Sequence, residues 1–374
     1  MTFLDEVKTA VTPRAALLIA GVLGLQLLFI ASYVGALHSP RPTDVKVAVV
    51  APGQLAGQLA AELRQLPGEP LSPRTLPDEG TARHQMLNRD IDAALIIDAQ
   101  GTTDTLLVAS GQGSTETSVL VSVFDQIEQQ QRRGLRLDDV APASGHDAHG
   151  LSSFYLVVGW CVGGYLCAGA LAISAGARPA NRGRATIRLL VTAVYAIVGG
   201  LLGAVIAGPI LSALPGSLFG LWGLGALTVF AVGAATLALQ SVFGIVGIGV
   251  AILLIVIAGN PSAGGAVPIP LLPDFWRSIG PALPPGSATW VARSIAYFHG
   301  NAIAVRLIVL SAWAVGGTLL LLVMSSLRGR GGRGGRGERG GKAAGPDGES
   351  GEPPGTAPGT AHAPDGSDPG PSGA

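Results

Sequence analysis

The chain has 374 residues, of which 48% are hydrophobic and 13% charged, and its mean hydropathy is +0.47. Soluble domains carry roughly 25% charge, so a purely water-soluble fold is excluded. The balance of 24 basic and 24 acidic residues argues neither for nor against a nucleic-acid partner. Residues 189–273 contain no Lys, Arg, Asp or Glu. A charge at the centre of a spanning helix costs about 2.5–3.5 kcal/mol on insertion scales, so this stretch belongs in lipid. The fold class expected is a polytopic α-helical membrane protein, with six transmembrane helices and an α/β extracytoplasmic domain between helices 1 and 2.

Residues 1–14 read as a cytoplasmic amphipathic leader: Phe3, Leu4, Val7 and Val11 share one helical face, opposite Asp5, Glu6 and Lys8. A frayed polar leader is the alternative, because so short a helix is marginal. The first span is Ala15–Leu37. Its apolar run continues to His38, Ser39 and Pro40 without an A-x-A-like site, which favours a retained anchor over a signal peptide.

Residues 38–150 form the α/β domain. Strands are expected at 45–50, 93–97 and 105–110, and helices at 54–65, 79–89 and 114–133, the last capped by Ser114 with Thr117 three residues on. Gly111-Gln-Gly-Ser114 lacks the lysine of a P-loop and the remaining glycine of a dinucleotide fingerprint, so it reads as a turn and a helix cap. His146-Asp-Ala-His149 offers two imidazoles and a carboxylate but no further ligand nearby, so no metal and no other cofactor is expected.

Residues 151–326 read as a five-helix transmembrane bundle. The second span, 151–174, carries Gly159-x-x-x-Gly163 and two cysteines, Cys161 and Cys167, which read as small apolar filler. The next loop holds Arg178, Arg182, Arg184 and Arg188 and is cytoplasmic by the positive-inside rule. Spans follow at 189–208, 218–239 and 242–259. The break at Gln240 and Ser241 is needed because one helix over 218–257 would be about 60 Å long in a core of about 30 Å.

Residues 260–301 are interrupted by Pro261, Pro268, Pro270, Pro273, Pro281, Pro284 and Pro285. They also carry Phe275, Trp276, Trp290, Tyr297 and Phe298, residue types that settle at membrane interfaces. A short interfacial helix over 287–299 would place Trp290, Val291, Ser294 and Phe298 on one face with Arg293 elsewhere. The segment reads as an outer re-entrant gate built on Pro273, Phe275, Trp276, Trp290 and Phe298, with an ordered surface loop as the alternative. The sixth span is 303–324, with Arg306 snorkelling to the interface. Residues 327–374 read as a disordered cytoplasmic tail, first arginine- and glycine-rich, then acidic. The arginine block resembles RNA-binding RGG segments but has no interleaved aromatic residue, so no nucleic acid is expected.

Certain stretches resemble a known family. They are Val45-Lys-Val-Ala-Val-Val50, Gly150-Leu-Ser-Ser-Phe-Tyr-Leu156 with 159–165, and Gly259-Asn-Pro-Ser-Ala-Gly-Gly-Ala-Val-Pro268 running on to Leu283-Pro-Pro-Gly286. With the order of parts, they are similar to the ABC type-2 exporter permeases, and most to the phage-infection-protein (YhgE/Pip-like) branch. The resemblance implies a plasma-membrane subunit with both termini cytoplasmic, pairing as a homo- or heterodimer around a pathway. It further implies a separate ABC ATPase docking on the leader (Phe3, Val7) and on the loop with Arg178, Arg182 and Arg184. The chain supplies no ATPase of its own: Gly341-Lys342 is followed by Ala343, and Arg336 stands where a P-loop needs its first glycine. No catalytic constellation is visible, and the charge-free spans argue against an ion-coupled carrier. The function expected is export of an apolar or amphipathic molecule. The alternative is an envelope scaffold or receptor acting through the extracytoplasmic domain.

Overall fold

The computed structural model describes residues 12–147 and 149–337; the expected leader with Phe3 and Val7, and the tail beyond residue 337, lie outside them. Helix α1 (Pro13–Leu37) starts with Pro at its first position, where no backbone donor is needed, and the Thr12 hydroxyl accepts from the Ala15 amide at 3.2 Å. Leu17, Ile19 and Val22 on this helix are exposed, as side chains facing lipid are.

A five-stranded sheet follows, in the order β2-β1-β3-β4-β5. Its strands are β1 (Val45–Val50), β2 (Leu71–Thr75), β3 (Ala93–Ile96), β4 (Thr103–Val108) and β5 (Gly134–Asp139). β1 runs parallel to β2 and β3, β3 and β4 are antiparallel, and β4 and β5 are parallel. Helices α2 (Leu55–Arg64), α3 (Glu79–Leu87) and α4 (Ser114–Gln130) complete the lobe. α3 is nucleated by Asp78, whose carboxylate accepts from the Thr81 amide at 2.8 Å and its hydroxyl at 2.9 Å. Ser114 does not cap α4. Gly113 occupies that position, and the Ser114 hydroxyl donates instead to the His149 carbonyl at 3.1 Å.

Side chains alternate across a strand, so the two sheet faces have different neighbours. Val45, Val47, Val49, Leu95, Leu106 and Val108 pack on Ala60, Leu63, Leu120 and Phe124 of α2 and α4. The other face, with Ala48, Ala94 and Leu107, joins Met86 of α3 and then Trp160, Val291, Tyr297 and Phe298 beyond the lobe. One hydrophobic core therefore runs from the sheet into the bundle.

Among the described residues, five helices are long and apolar enough to cross a membrane: Ala15–Leu37, Ser152–Ala175, Arg182–Ile210, Leu218–Phe243 and Ala304–Arg328. The chain is thus a multi-pass helical membrane protein. The last four belong to α5 (Ser152–Ala175), α6 (Arg182–Val205, extended by a wide turn to Ile210), α7 (Leu218–Phe243) and a helix from Ala304 to Gly337. That last helix continues to Gly337, past residue 326 where the tail was expected to begin, and the rest of the tail lies outside the described residues.

α5, α7 and the last helix all lead away from the lobe. α7 begins near Ile295 and ends at Gly244, against the Arg178 guanidinium, and Arg328, where the apolar span of the last helix ends, donates to the Ser241 carbonyl. The chain returns between them through α8 (Val246–Ile252) and a wider helical stretch, Leu253–Gly259, which reaches Pro285. Val246–Gly259 is shorter than the five long helices. The break from α7 falls at Gly244, whose φ of +67° is left-handed, rather than at Gln240 and Ser241, which remain helical and buried.

The proline-rich segment then folds into α9 (Asp274–Ile279) and α10 (Pro284–Tyr297), with single tight turns at Pro261–Ala263, Ile269–Leu271 and Gly280–Ala282. The helix from Ala304 to Gly337 is α11. α10 is not an interfacial helix: Ser287, Thr289, Arg293 and Ser294 are as buried as Val291 and Ala292. The proline-rich segment and the lobe share its polar face: Ser287 donates to the Pro281 carbonyl, and Ser294 accepts from Arg89.

Candidate functional site

The lobe meets the proline-rich segment through charged side chains that pair with backbone. Arg293 of α10 donates to the carbonyls of Gly264 at 2.6 Å, Gly265 at 2.9 Å and Gly150 at 3.1 Å. Those carbonyls are reachable because the chain there carries no side chains: a Cβ on Gly265 would lie 2.2 Å from the Phe154 ring. Arg89, just after α3, reaches in from the lobe. It donates to the Trp290 carbonyl at 2.9 Å, the Ser294 hydroxyl at 2.7 Å and Gln112 Oε1 at 3.4 Å. Its guanidinium carbon lies 3.4 Å from the Trp290 ring centroid and 4.8 Å from that of Phe298. Arg89 holds φ at 60°, a left-handed conformation that costs a non-glycine residue roughly 1–3 kcal/mol.

Further contacts tie the layers together. The Tyr297 hydroxyl donates to Asp147 at 2.8 Å, and the other oxygen of Asp147 accepts from the Ser152 amide at 2.9 Å and hydroxyl at 2.7 Å. Arg277 donates to the Thr43 carbonyl at 3.0 Å and pairs with Asp274 at 2.7 Å and Asp44 at 3.5 Å. Gly111, in the turn before α4, lies so close to Tyr297 that a Cβ would come within 2.6 Å of its ring. This close packing explains the glycines of the 111–114 motif without any phosphate.

These contacts enclose a cavity of about 300 Å³ between the start of β1, the turn after α3 and the proline-rich segment. Its wall carries the cations Lys46, Arg89, Arg277, Arg293 and Arg306, the acids Asp44 and Asp92, and the apolar surfaces of Pro268, Ile269 and Trp290. Because β1 and β3 are parallel neighbours, their first residues lie side by side, and the Lys46 amide donates to Asp92 at 3.0 Å. Gln112 Nε2 donates to Asp92 and Glu116, each at 3.2 Å. Burial lowers the Arg89 guanidinium well below its usual range and brings Arg293 to about 10. Burial, reinforced by the nearby Asp92 charge, pushes the Glu116 carboxyl up to about 8.

Of the expected gate residues, Trp290 and Phe298 come together around Arg89, whereas Pro273 and Phe275 are exposed and Trp276 packs beside Leu271 and Leu272. Arg306 does not simply snorkel, because it donates to the Pro281 carbonyl at 3.2 Å with its guanidinium carbon 5.2 Å from the Trp290 ring. Sequence reading passed over Arg89, Asp92 and Gln112 because they are separate in the chain and meet only in the fold. Arg293, a lone charge among small residues, was the one visible signal. Asp147 serves Tyr297 and Ser152, and no cluster of metal-ligating side chains occurs among the described residues.

At the opposite end of the bundle the arginines divide into two groups. Arg188 is buried and donates to the Ala175 and Gly176 carbonyls at 2.8 and 2.7 Å, and Arg178 donates to the Val242 carbonyl at 3.2 Å, so both cap helix C-termini. Arg182 and Arg184 stand exposed in the first turn of α6, behind its Asn181 cap. No family model matches the chain, and no curated protein or solved structure matches it either.

Proposed function

We propose that the chain is the membrane-spanning permease subunit of an ABC-type exporter, moving an apolar or amphipathic molecule outward with energy from a separate ATPase. In this reading Val246–Gly259 is a sixth crossing, the lobe faces outward across the plasma membrane, and the arginine end lies in the cytoplasm. The observation that carries the proposal is the exposed pair Arg182 and Arg184 at the end of the bundle away from the cavity. A cation in the first turn of a helix opposes its dipole by about 0.3–1 kcal/mol, so neither charge serves folding. Together they offer a cytoplasmic contact for an acidic partner surface. Parity supports the topology: α7 and α11 run in the same direction, as they would with Val246–Gly259 crossing between them.

The test is co-purification of a P-loop ATPase with the full chain from its own membranes, compared with a doubly substituted Arg182→Ala, Arg184→Ala chain. Recruitment by the first and not by the second is expected. A wild-type chain that brings down no ATPase would sink the proposal.

A further inference from the structure

The cavity between the lobe and the proline-rich segment has an electrostatic imbalance that the contacts within the chain leave uncorrected. Among the described residues, the ion pairs within 4 Å include none from Arg89, Arg293 or Arg306 to a carboxylate. Arg277 is answered by Asp274 and Asp44, and the Lys46 amide is held by Asp92. Three guanidinium groups thus face one small space with only neutral partners: carbonyls, Ser294, Gln112 and the Trp290 ring. Burying an unpaired charge costs several kcal/mol, and hydrogen bonds to carbonyls offset only part of it.

Unused donors and acceptors in the wall point the same way. Arg89 is 7% exposed and Arg293 4%, and the Nε of each has no partner. Thr289, 1% exposed, also lines the cavity, and its hydroxyl has no partner. Buried polar groups in folded proteins are almost always satisfied, so three orphaned ones on residues that line one cavity point to a group bound beside them. Two of the lining residues, Asp44 and Arg89, hold left-handed backbone at φ 54° and 60°, the kind of strain that collects at binding sites. The remaining wall, Pro268, Ile269 and Trp290, is apolar.

We propose that this cavity binds a phosphate-type oxyanion, the head group of an amphipathic molecule whose apolar part lies against Pro268, Ile269 and Trp290. Arg293 and Arg306 supply its charge, and the Thr289 hydroxyl donates to one oxygen. The volume, about 300 Å³, is at the lower end of small-molecule sites and suits a head group rather than a whole lipid. This inference deepens the export reading by naming the chemistry of what the outer cavity holds, but it does not depend on an ATPase.

The full chain is reconstituted in nanodiscs of phosphatidylcholine with and without phosphatidylglycerol, and retained lipid is read by native mass spectrometry. Inorganic phosphate is titrated separately by calorimetry. Preferential retention of phosphatidylglycerol is expected, weakened about tenfold or more by Arg306→Gln, as loss of a charged hydrogen bond requires. Thr289→Val should weaken it too, and because that hydroxyl holds nothing else in place, this variant keeps the fold. Arg132→Gln, at an exposed lobe arginine that does not line the cavity, should leave retention unchanged. Phosphate binding that falls in the same two cavity variants, without lipid preference, supports the site and identifies a free anion as its ligand. If neither anion is preferred, or if Arg306→Gln and Thr289→Val behave like Arg132→Gln, the proposal is overturned. A chain that holds the anion yet recruits no ATPase keeps this site and loses the export reading. The reverse result keeps export and removes the site.

Discussion

Tyr297→Phe removes one oxygen from the junction between lobe and bundle while keeping the ring that packs against Gly111. In the native chain that hydroxyl donates to Asp147 at 2.8 Å, with both residues buried. A hydrogen bond to a charged, buried acceptor contributes about 1.5–3 kcal/mol, and leaving the acceptor unpaired adds to the loss. Asp147 would keep its two contacts from Ser152, so the cost should stay within that range. At roughly 2–4 °C per kcal/mol for a chain of this size class, the melting temperature in detergent should fall by roughly 3–12 °C. The decisive measurement is a double-mutant cycle: in an Asp147→Ala background the same substitution should cost less than about 0.5 kcal/mol. An equal cost in both backgrounds would refute the claim that this bond links the two layers, because the loss would then come from ring packing alone.

Gly265→Ala should cost about 1–3 kcal/mol or more by overpacking, since its Cβ would collide with the Phe154 ring, whereas Gly145→Ala, with open space around it, should be silent in the same thermal assay. Glu116→Gln tests the buried acid. Its folded pKa of about 8 lies above the usual value of 4.5, so the stability it contributes is present below pH 4.5 and is lost as pH rises through 8. Melting temperatures measured from pH 4 to 9 should therefore show the native chain losing ground to this variant across that window; parallel curves would remove the shift. Arg188→Ala should destabilise by about 1–3 kcal/mol, because the Ala175 and Gly176 carbonyls lose their donor, while Arg182→Ala should not; equal melting temperatures would contradict that division. A cysteine placed at exposed Gln129 should react with an impermeant maleimide added outside intact cells, and reaction only after lysis would reverse the proposed orientation.

The parts of the fold legible in the sequence are those where one local rule decides. β1 lies where its apolar β-branched run places it, Val45–Val50, and α3 begins at the expected Glu79, where the structure adds the Asp78 cap. The two strands that were missed, β2 and β5, are the sheet edges. β2 contains Pro73, which only an edge tolerates, and β5 alternates Arg136, Asp138 and Asp139 with little burial, as exposed edges do. Neither has the apolar run that marks an inner strand. α10 misled for the opposite reason. Arg293 was placed off the face of Trp290, Val291, Ser294 and Phe298, but the carbonyls that satisfy it come from Gly264, Gly265 and Gly150, and no periodicity encodes such partners. The cavity was invisible for the same reason, since its wall is assembled from seven separate stretches, and only the resulting imbalance of charge reveals it.

The core that passes unbroken from the sheet into the bundle also constrains the order of assembly. The sheet face bearing Leu107 and Ala109 is covered by Tyr297 and Phe298, which leave the ribosome long after the lobe itself has been synthesised. Until α10 arrives, that apolar surface stands open. The lobe therefore matures only when the last third of the protein closes over it, and a fragment cut at residue 150 would lack its own floor.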